Sequence, residues 1–236
     1  MRLKDQVGII TGGGRGIGRA TALTFAKEGA SIAVVARSES EIEGVAREIR
    51  NMGGRAIAIK TDVSQEDQVE AMVQKVINEF GRIDALVNSA GVAKHAHIQD
   101  IQTDIWDLTM NVNLRGIMLC TRAVYRQMLD QQSGYIMNIS SGAGKRGSAK
   151  YGTYSTSKFG VIGFTESLAA EGRRNGIKAS VICPGPVATR MRAGNHPGEN
   201  PATIMSPQDI ADVALFLITQ PKRAYICEVV VSVFPS

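Results

Sequence analysis

Tyr154 and Lys158 stand four residues apart in the stretch YGTYSTSK, residues 151–158. On a helix that spacing stacks the two side chains on one face. Tyr151 has Ser155 at the same offset, so of the two tyrosines only Tyr154 gains a cation as neighbour. A phenol has a pKa of about 10 and is a poor base at neutral pH. An ammonium about 4 Å away is worth roughly 4 kcal/mol at an effective dielectric of about 20. That is enough to draw the phenol toward neutrality, where proton transfer works best. The second chemistry-bearing stretch is TGGGRGIG, residues 11–18. It follows an apolar run and opens an amphipathic one. A helix N-terminus placed there offers free N–H groups and a positive dipole end, which suit a pyrophosphate, and the glycines let the backbone come close to it. No register fits G-x-G-x-x-G. Gly18 is followed by Arg19 and Ala20, which excludes a P-loop. The spacing that fits is T-G-x-x-x-G-x-G, through Thr11, Gly12, Gly16 and Gly18.

Positioning these groups falls to an alternation of strand-like and helix-length segments. Strands are predicted at 7–11, 31–36, 55–60, 84–90, 134–140, 178–184 and 226–233, several of them nearly continuous in Ile, Val and Ala. Such runs belong to strands covered on both faces. Helices are predicted at about 17–28, 39–51, 65–79, 104–130, 153–174 and 207–219. Ser64 with Asp67 resembles a capping box for the third of these, and Ser206 before Pro207 starts the last. The fold class that follows is α/β: a Rossmann-like, doubly wound, mainly parallel seven-stranded sheet with helices on both faces. It forms a single domain over residues 1–236. The stretch 190–205 is poor in periodic apolar residues and rich in Gly, Pro and Asn, and reads as a mobile loop over the substrate.

The 236 residues are 44% hydrophobic and 21% charged, an ordinary globular composition. No segment approaches the roughly 20 apolar residues of a membrane span, and the N-terminal apolar run is too short for a secretory signal. The three cysteines, Cys120, Cys183 and Cys227, lack CxxC spacing, which fits a reducing cytoplasm. The net charge of +5 is scattered, with no basic run to support nucleic-acid binding, and suits an anionic small ligand instead. His95 and His97 form H-x-H without a third ligand in view, and read as lining a substrate mouth or facing solvent. No metal site is expected. Cys183, beside Pro184, reads as a small buried apolar group.

Taken together, TGxxxGxG, NSAG at 88–91, Asn113 in NLRG, Ser141, Tyr154-x-x-x-Lys158 and CPGP at 183–186 resemble the classical short-chain dehydrogenase/reductase family, in order and over nearly the whole chain. The subgroup most alike is the 3-oxoacyl-(acyl carrier protein) reductases. The extended branch of the family would need Gly at position 15, where this chain has Arg15.

The resemblance implies a catalytic set of Asn113, Ser141, Tyr154 and Lys158. Ser141 would hydrogen-bond the substrate carbonyl and help stabilise developing oxyanion charge. Asn113 would hold a water that links Lys158 to solvent. Asn111 and Ser140 read as structural. In the reductive direction Tyr154 would give a proton to the carbonyl oxygen, and Lys158 would also bind the nicotinamide ribose. For the cofactor, the resemblance adds Ile17 in the Gly-rich loop, Asp62 and Val63 at the adenine, and Asn88, Ala90 and Gly91 along the ribose. Pro184, Gly185, Val187 and Thr189 would meet the nicotinamide end. NAD-preferring members carry an acidic residue at the end of the second strand. That position is Ala36 here, followed by Arg37 and Ser38, and Arg15 sits within the glycine loop. Two guanidiniums suit a 2′-phosphate, so the cofactor implied is NADP(H).

Three functions compete. The first is an NADP(H)-dependent reductase of a small-molecule carbonyl, with a 3-oxoacyl thioester as one substrate and sugars, steroids or small diketones as others. The second is a non-catalytic NADP(H)-sensing regulator or scaffold, against which the complete catalytic set argues. The third, a sugar-nucleotide epimerase or dehydratase, is disfavoured by the glycine spacing. Family members pair the long helices matching 104–130 and 153–174, so a homodimer or homotetramer is implied.

Overall fold

In the computed structural model, which describes residues 1–234, alternate side chains of each central strand enter opposite apolar layers. In β1 (Val7–Thr11), Ile10 joins one layer and Ile9 the other. In β2 (Ser31–Ala36), Ile32 and Val34 lie with Ile10, while Ala33 and Val35 lie with Ile9. This is the period of two of an extended chain buried on both sides, and it explains the unbroken Val/Ile/Ala composition. The remaining strands are β3 (Ala56–Lys60), β4 (Ala85–Asn88), β5 (Gly134–Ile139), β6 (Ile177–Pro184) and β7 (Glu228–Val231). They form one seven-stranded sheet in the order β3-β2-β1-β4-β5-β6-β7, and every pairing is parallel.

The helices are α1 (Gly16–Lys27), α2 (Glu39–Asn51), α3 (Glu66–Phe80), α4 (Thr103–Met110), α5 (Gly116–Gln131), α6 (Gly152–Gly172), α7 (Arg190–Asn195) and α8 (Pro207–Ile218). Apolar side chains of α1, α2 and α8 cover one face of the sheet, and those of α3, α5 and α6 cover the other. In α2 the buried residues Ile42, Val45, Ala46 and Ile49 follow helical spacing, and each large one contributes roughly 1.5–3 kcal/mol on burial. The strand order reverses direction between β1 and β4. A crevice opens there at the carboxyl ends of the strands, where open α/β sheets take their ligands. No helix among the described residues is long and apolar enough to cross a membrane.

Most element boundaries match the sequence reading within two residues, but β4 and β7 are shorter than read, and three further expectations are corrected. The helix expected over 104–130 runs through as read, but at Asn111–Arg115 it widens to a π turn between α4 and α5. Its centre is tied down by Asn113, whose side chain bonds backbone outside the helix. Ser64 does not cap α3: its hydroxyl donates to Asp62 Oδ1 at 2.7 Å, and Gln65 occupies the cap position without a side-chain bond. The stretch 190–205 is not wholly loop. It contains α7 and a 3₁₀ turn at Pro201–Thr203, with Val187 bridged to Met205. Thr189 accepts a bond from the Arg192 N–H at 3.2 Å and so starts α7, a local cap with no apolar periodicity to announce it. By contrast Ser206 caps α8 as read, in a reciprocal box with Asp209. Residues 235–236 of the expected domain lie outside the described residues.

Candidate active site

A cleft of about 940 Å³ runs along the carboxyl ends of the strands. Its floor begins at the glycine loop between β1 and α1. Gly12 has φ +65, and a side chain there would meet the Ala90 backbone at 2.9 Å. A Cβ on Gly18 would lie 2.3 Å from the Gly12 carbonyl oxygen, so only glycine lets the helix start close this tightly. The residue before α1, Arg15, is extended and gives no side-chain cap. The first N–H groups of α1 are therefore left to a ligand, which fits the pyrophosphate of a dinucleotide.

Gly12, Arg15, Gly16, Ile17, Arg37, Ser38, Asp62, Val63, Ala90, Gly91, Pro184, Gly185, Val187 and Thr189 all line this cleft. Thr11, Gly18 and Asn88 stand behind its wall. Thr11 Oγ1 accepts the N–H groups of Ser89 and Ala90 at 3.1 and 3.2 Å, which fixes the two strand ends together. Asn88 is buried and donates to Asn138 Oδ1 at 2.9 Å. These three act on the cleft by shaping it.

At the β2 end of the cleft, Ala36 places no carboxylate at the end of the strand. The side chains of Arg15 and Arg37 are 60% and 61% exposed, and their nearest acidic groups, Glu41 and Asp62, stand at 3.6 and 3.9 Å. Both guanidiniums are thus loosely held. The sequence reading missed Glu41 and Arg190, which pair at 3.2 Å and also line the cleft. They lie 149 residues apart, so no local pattern connects them.

At the other end, Ser141, Tyr154 and Lys158 share the cleft wall. Ser141 lies just past β5 and its Oγ accepts the Ala143 N–H at 3.1 Å. Lys158 is buried and donates from Nζ to the Ile139 carbonyl at 2.8 Å, with its amine 5.7 Å from the Tyr154 ring centre. Burial brings its pKa down to about 8. Tyr154 departs from the sequence argument. Its burial raises the pKa, against the lowering effect of the Ser141 hydroxyl, while Tyr151 adds to the rise. The amine sits on the same side as expected, but its bond is to a carbonyl and not to the phenol. Desolvation therefore outweighs the cation in setting Tyr154.

Asn113 does not line the cleft. Its amide bonds both backbone groups of Val92, at 2.8 and 2.9 Å, and the Ser157 hydroxyl at 3.1 Å. The side chain is committed to holding the loop after β4. Replacing Asn113 by Ala leaves the half-buried Val92 N–H and C=O without these partners, at a cost of about 0.5–1.5 kcal/mol per lost bond. The expected result is a melting temperature lower by several degrees, read by thermal unfolding. An unchanged value would show that the amide holds nothing. Ser140 is structural as read, its hydroxyl bonding the Lys158 carbonyl at 2.9 Å. Asn111 is exposed.

His95 lines the cleft and His97 is exposed. Cys183 is buried, and burial raises its thiol. The sequence reading set Tyr151 aside as a proton donor and placed Arg192 and His196 only within the 190–205 loop; all three line the cleft. Tyr151 was legible, being three residues before Tyr154 and so on a neighbouring helix face.

Comparison with known proteins places these features in context. The family described as short chain dehydrogenase matches residues 6–200. A 3-oxoacyl-[acyl-carrier-protein] reductase of Synechocystis sp. is 38% identical over 95% of this chain and 93% of its own length. A 3-oxoacyl-[acyl-carrier-protein] reductase of Thermotoga maritima is 35% identical, covering 92% of each chain. Among solved structures, levodione reductase superposes with a TM-score of 0.92 at 32% identity, covering 97% of this chain and 96% of that one. A metagenomic short-chain oxidoreductase in complex with NADP gives 0.88 at 34% identity over the full length of both chains.

Proposed function

The chain belongs to the short-chain dehydrogenase family, and from that premise we propose that it is an NADP(H)-dependent oxidoreductase that reduces a small carbonyl compound to a secondary alcohol. The observation that carries this reading is the convergence of Ser141, Tyr154 and Lys158 on one wall of a cleft whose far end presents Arg15 and Arg37. The nicotinamide, when bound, supplies the hydride. Tyr154, its pKa raised by burial, is a neutral phenol at neutral pH and so carries the proton that a developing alkoxide takes. Lys158, with a pKa of about 8, is mostly an ammonium at that pH and stabilises the phenolate left behind. Ser141 stands beside Tyr154 to hold the carbonyl oxygen.

The segment 190–205, with α7, would serve as a lid over the substrate end, where α7 stands on the cleft wall. The curated relatives, both named as 3-oxoacyl-[acyl-carrier-protein] reductases, support a 3-oxoacyl thioester as one substrate. The test is NADPH consumption, followed optically, with a panel of ketones that includes such a thioester. Absence of consumption across the panel, with NADPH bound, would refute the reading.

Arg15 and Arg37, with Ser38, would hold the 2′-phosphate, consistent with the neighbour solved with NADP. Charge-assisted bonds of this kind are worth about 1.5–3 kcal/mol each. Arg37→Ala should therefore weaken NADPH binding by about tenfold or more and leave NADH unchanged, as read by fluorescence titration. Equal loss for both cofactors would count against the assignment.

A further inference from the structure

Beside Tyr154 the cleft mouth is built of rings that the proton-transfer chemistry does not use. The ring of His95 stacks on Tyr151, with centres 3.9 Å apart and planes at 29°. Both rings sit edge-on to Tyr154, at 6.3 and 6.4 Å. The Tyr151 hydroxyl and His196 Nε2 share a hydrogen bond of 2.8 Å. That bond spans the mouth, since Tyr151 precedes α6 while His196 follows α7. Asn195 adds a bond to the Ala93 carbonyl at 3.3 Å on the same side.

From this arrangement, and resting on the carbonyl reduction proposed above, we infer that Tyr151, His95 and His196 form a subsite for a second oxygen of the substrate, so that the enzyme takes compact ketones bearing another carbonyl or hydroxyl close to the one reduced.

A carbonyl held at Tyr154 and Ser141 must extend past these rings. The Tyr151–His196 bond engages one nitrogen of His196, leaving the other and the remaining capacity of the phenol oxygen. The stacking of His95 uses ring faces, not ring nitrogens. An oxygen acceptor on the substrate meets these groups, whereas a methylene chain would displace water from them and return nothing. A neutral oxygen fits better than a carboxylate. The guanidinium of Arg192 at this end is engaged by both oxygens of Glu199, at 2.7 and 2.6 Å. Burial, then His196 and Arg192, hold the pKa of His95 down, so its imidazole is neutral and serves as donor or acceptor.

The test compares methyl acetoacetate with methyl butyl ketone, which has the same chain with methylene groups in place of the ester carbonyl and ether oxygen. The ratio of kcat/KM values is measured for the wild type, His196→Phe and Tyr151→Phe, each checked for folding by thermal unfolding and for NADPH binding. Intrinsic reactivity of the two ketones cancels when this ratio is compared between proteins. The expected result is a ratio that falls by about tenfold or more in each variant, the equivalent of roughly 1.4 kcal/mol. A ratio unchanged in both variants would overturn the subsite alone. No NADPH consumption with either ketone in the wild type would overturn the reduction reading, and the subsite with it.

Discussion

Tyr154→Phe is expected to reduce turnover by about 100- to 10,000-fold, the usual weight of a positioned proton donor, and to leave NADPH affinity nearly intact. The ring survives the change, and only the hydroxyl that shares the cleft wall with Ser141 is lost. Packing against His95 and Tyr151 is a matter of ring faces and edges, which phenylalanine reproduces. A fall in kcat with unchanged NADPH binding separates a chemical role from a structural one. Retained turnover would remove Tyr154 from the mechanism. The direction of its pKa shift sharpens the expectation. A phenol raised by burial is fully protonated at neutral pH, so reduction has its proton in place.

Lys158→Met is expected to abolish turnover and to change how stability responds to pH. The amine of Lys158 lies at about 8 in the folded protein, against 10.5 for a free lysine, because burial disfavours its charge. Between those two values the unfolded chain binds more protons than the folded one, so stability rises with pH across that window. The largest gain this shift allows is roughly 3 kcal/mol, at about 1.4 kcal/mol for each pH unit. Methionine has no proton to lose. The stability difference between wild type and variant should therefore move in favour of the wild type as pH climbs from about 8 to about 10.5, as read by urea denaturation. A difference that stays constant over that range would mean the amine is solvated. Loss of its bond to the Ile139 carbonyl lowers the variant by a pH-independent amount, which leaves the slope intact as the readout.

The range of each interaction decides whether it is legible along the chain. Strands such as β2 were legible because burial on both faces demands apolar residues such as Ala, Ile and Val at nearly every position. The pairing of Tyr154 with Lys158 was legible because four residues are one helical turn, whatever surrounds the helix. The tight turn into α1 was legible for a similar reason: Gly12 and Gly16 adopt left-handed backbone, and a Cβ on Gly18 would meet Gly12, six residues back.

What the tertiary structure alone decided is of another kind. The π turn at Asn111–Arg115 is held by Asn113 bonding Val92, twenty-one residues away. The start of α7 rests on one Thr189 hydroxyl, with no repeating apolar signal. The ion pair of Glu41 with Arg190 joins segments 149 residues apart. The protonation of Tyr154 follows the same rule. Its spacing to Lys158 is set within one helix, but the burial that raises its pKa comes from the folded surroundings and not from the chain next to it. Spacing along a chain determines which groups can meet, while desolvation is summed over everything that packs around them, and that sum exists only once the chain has folded.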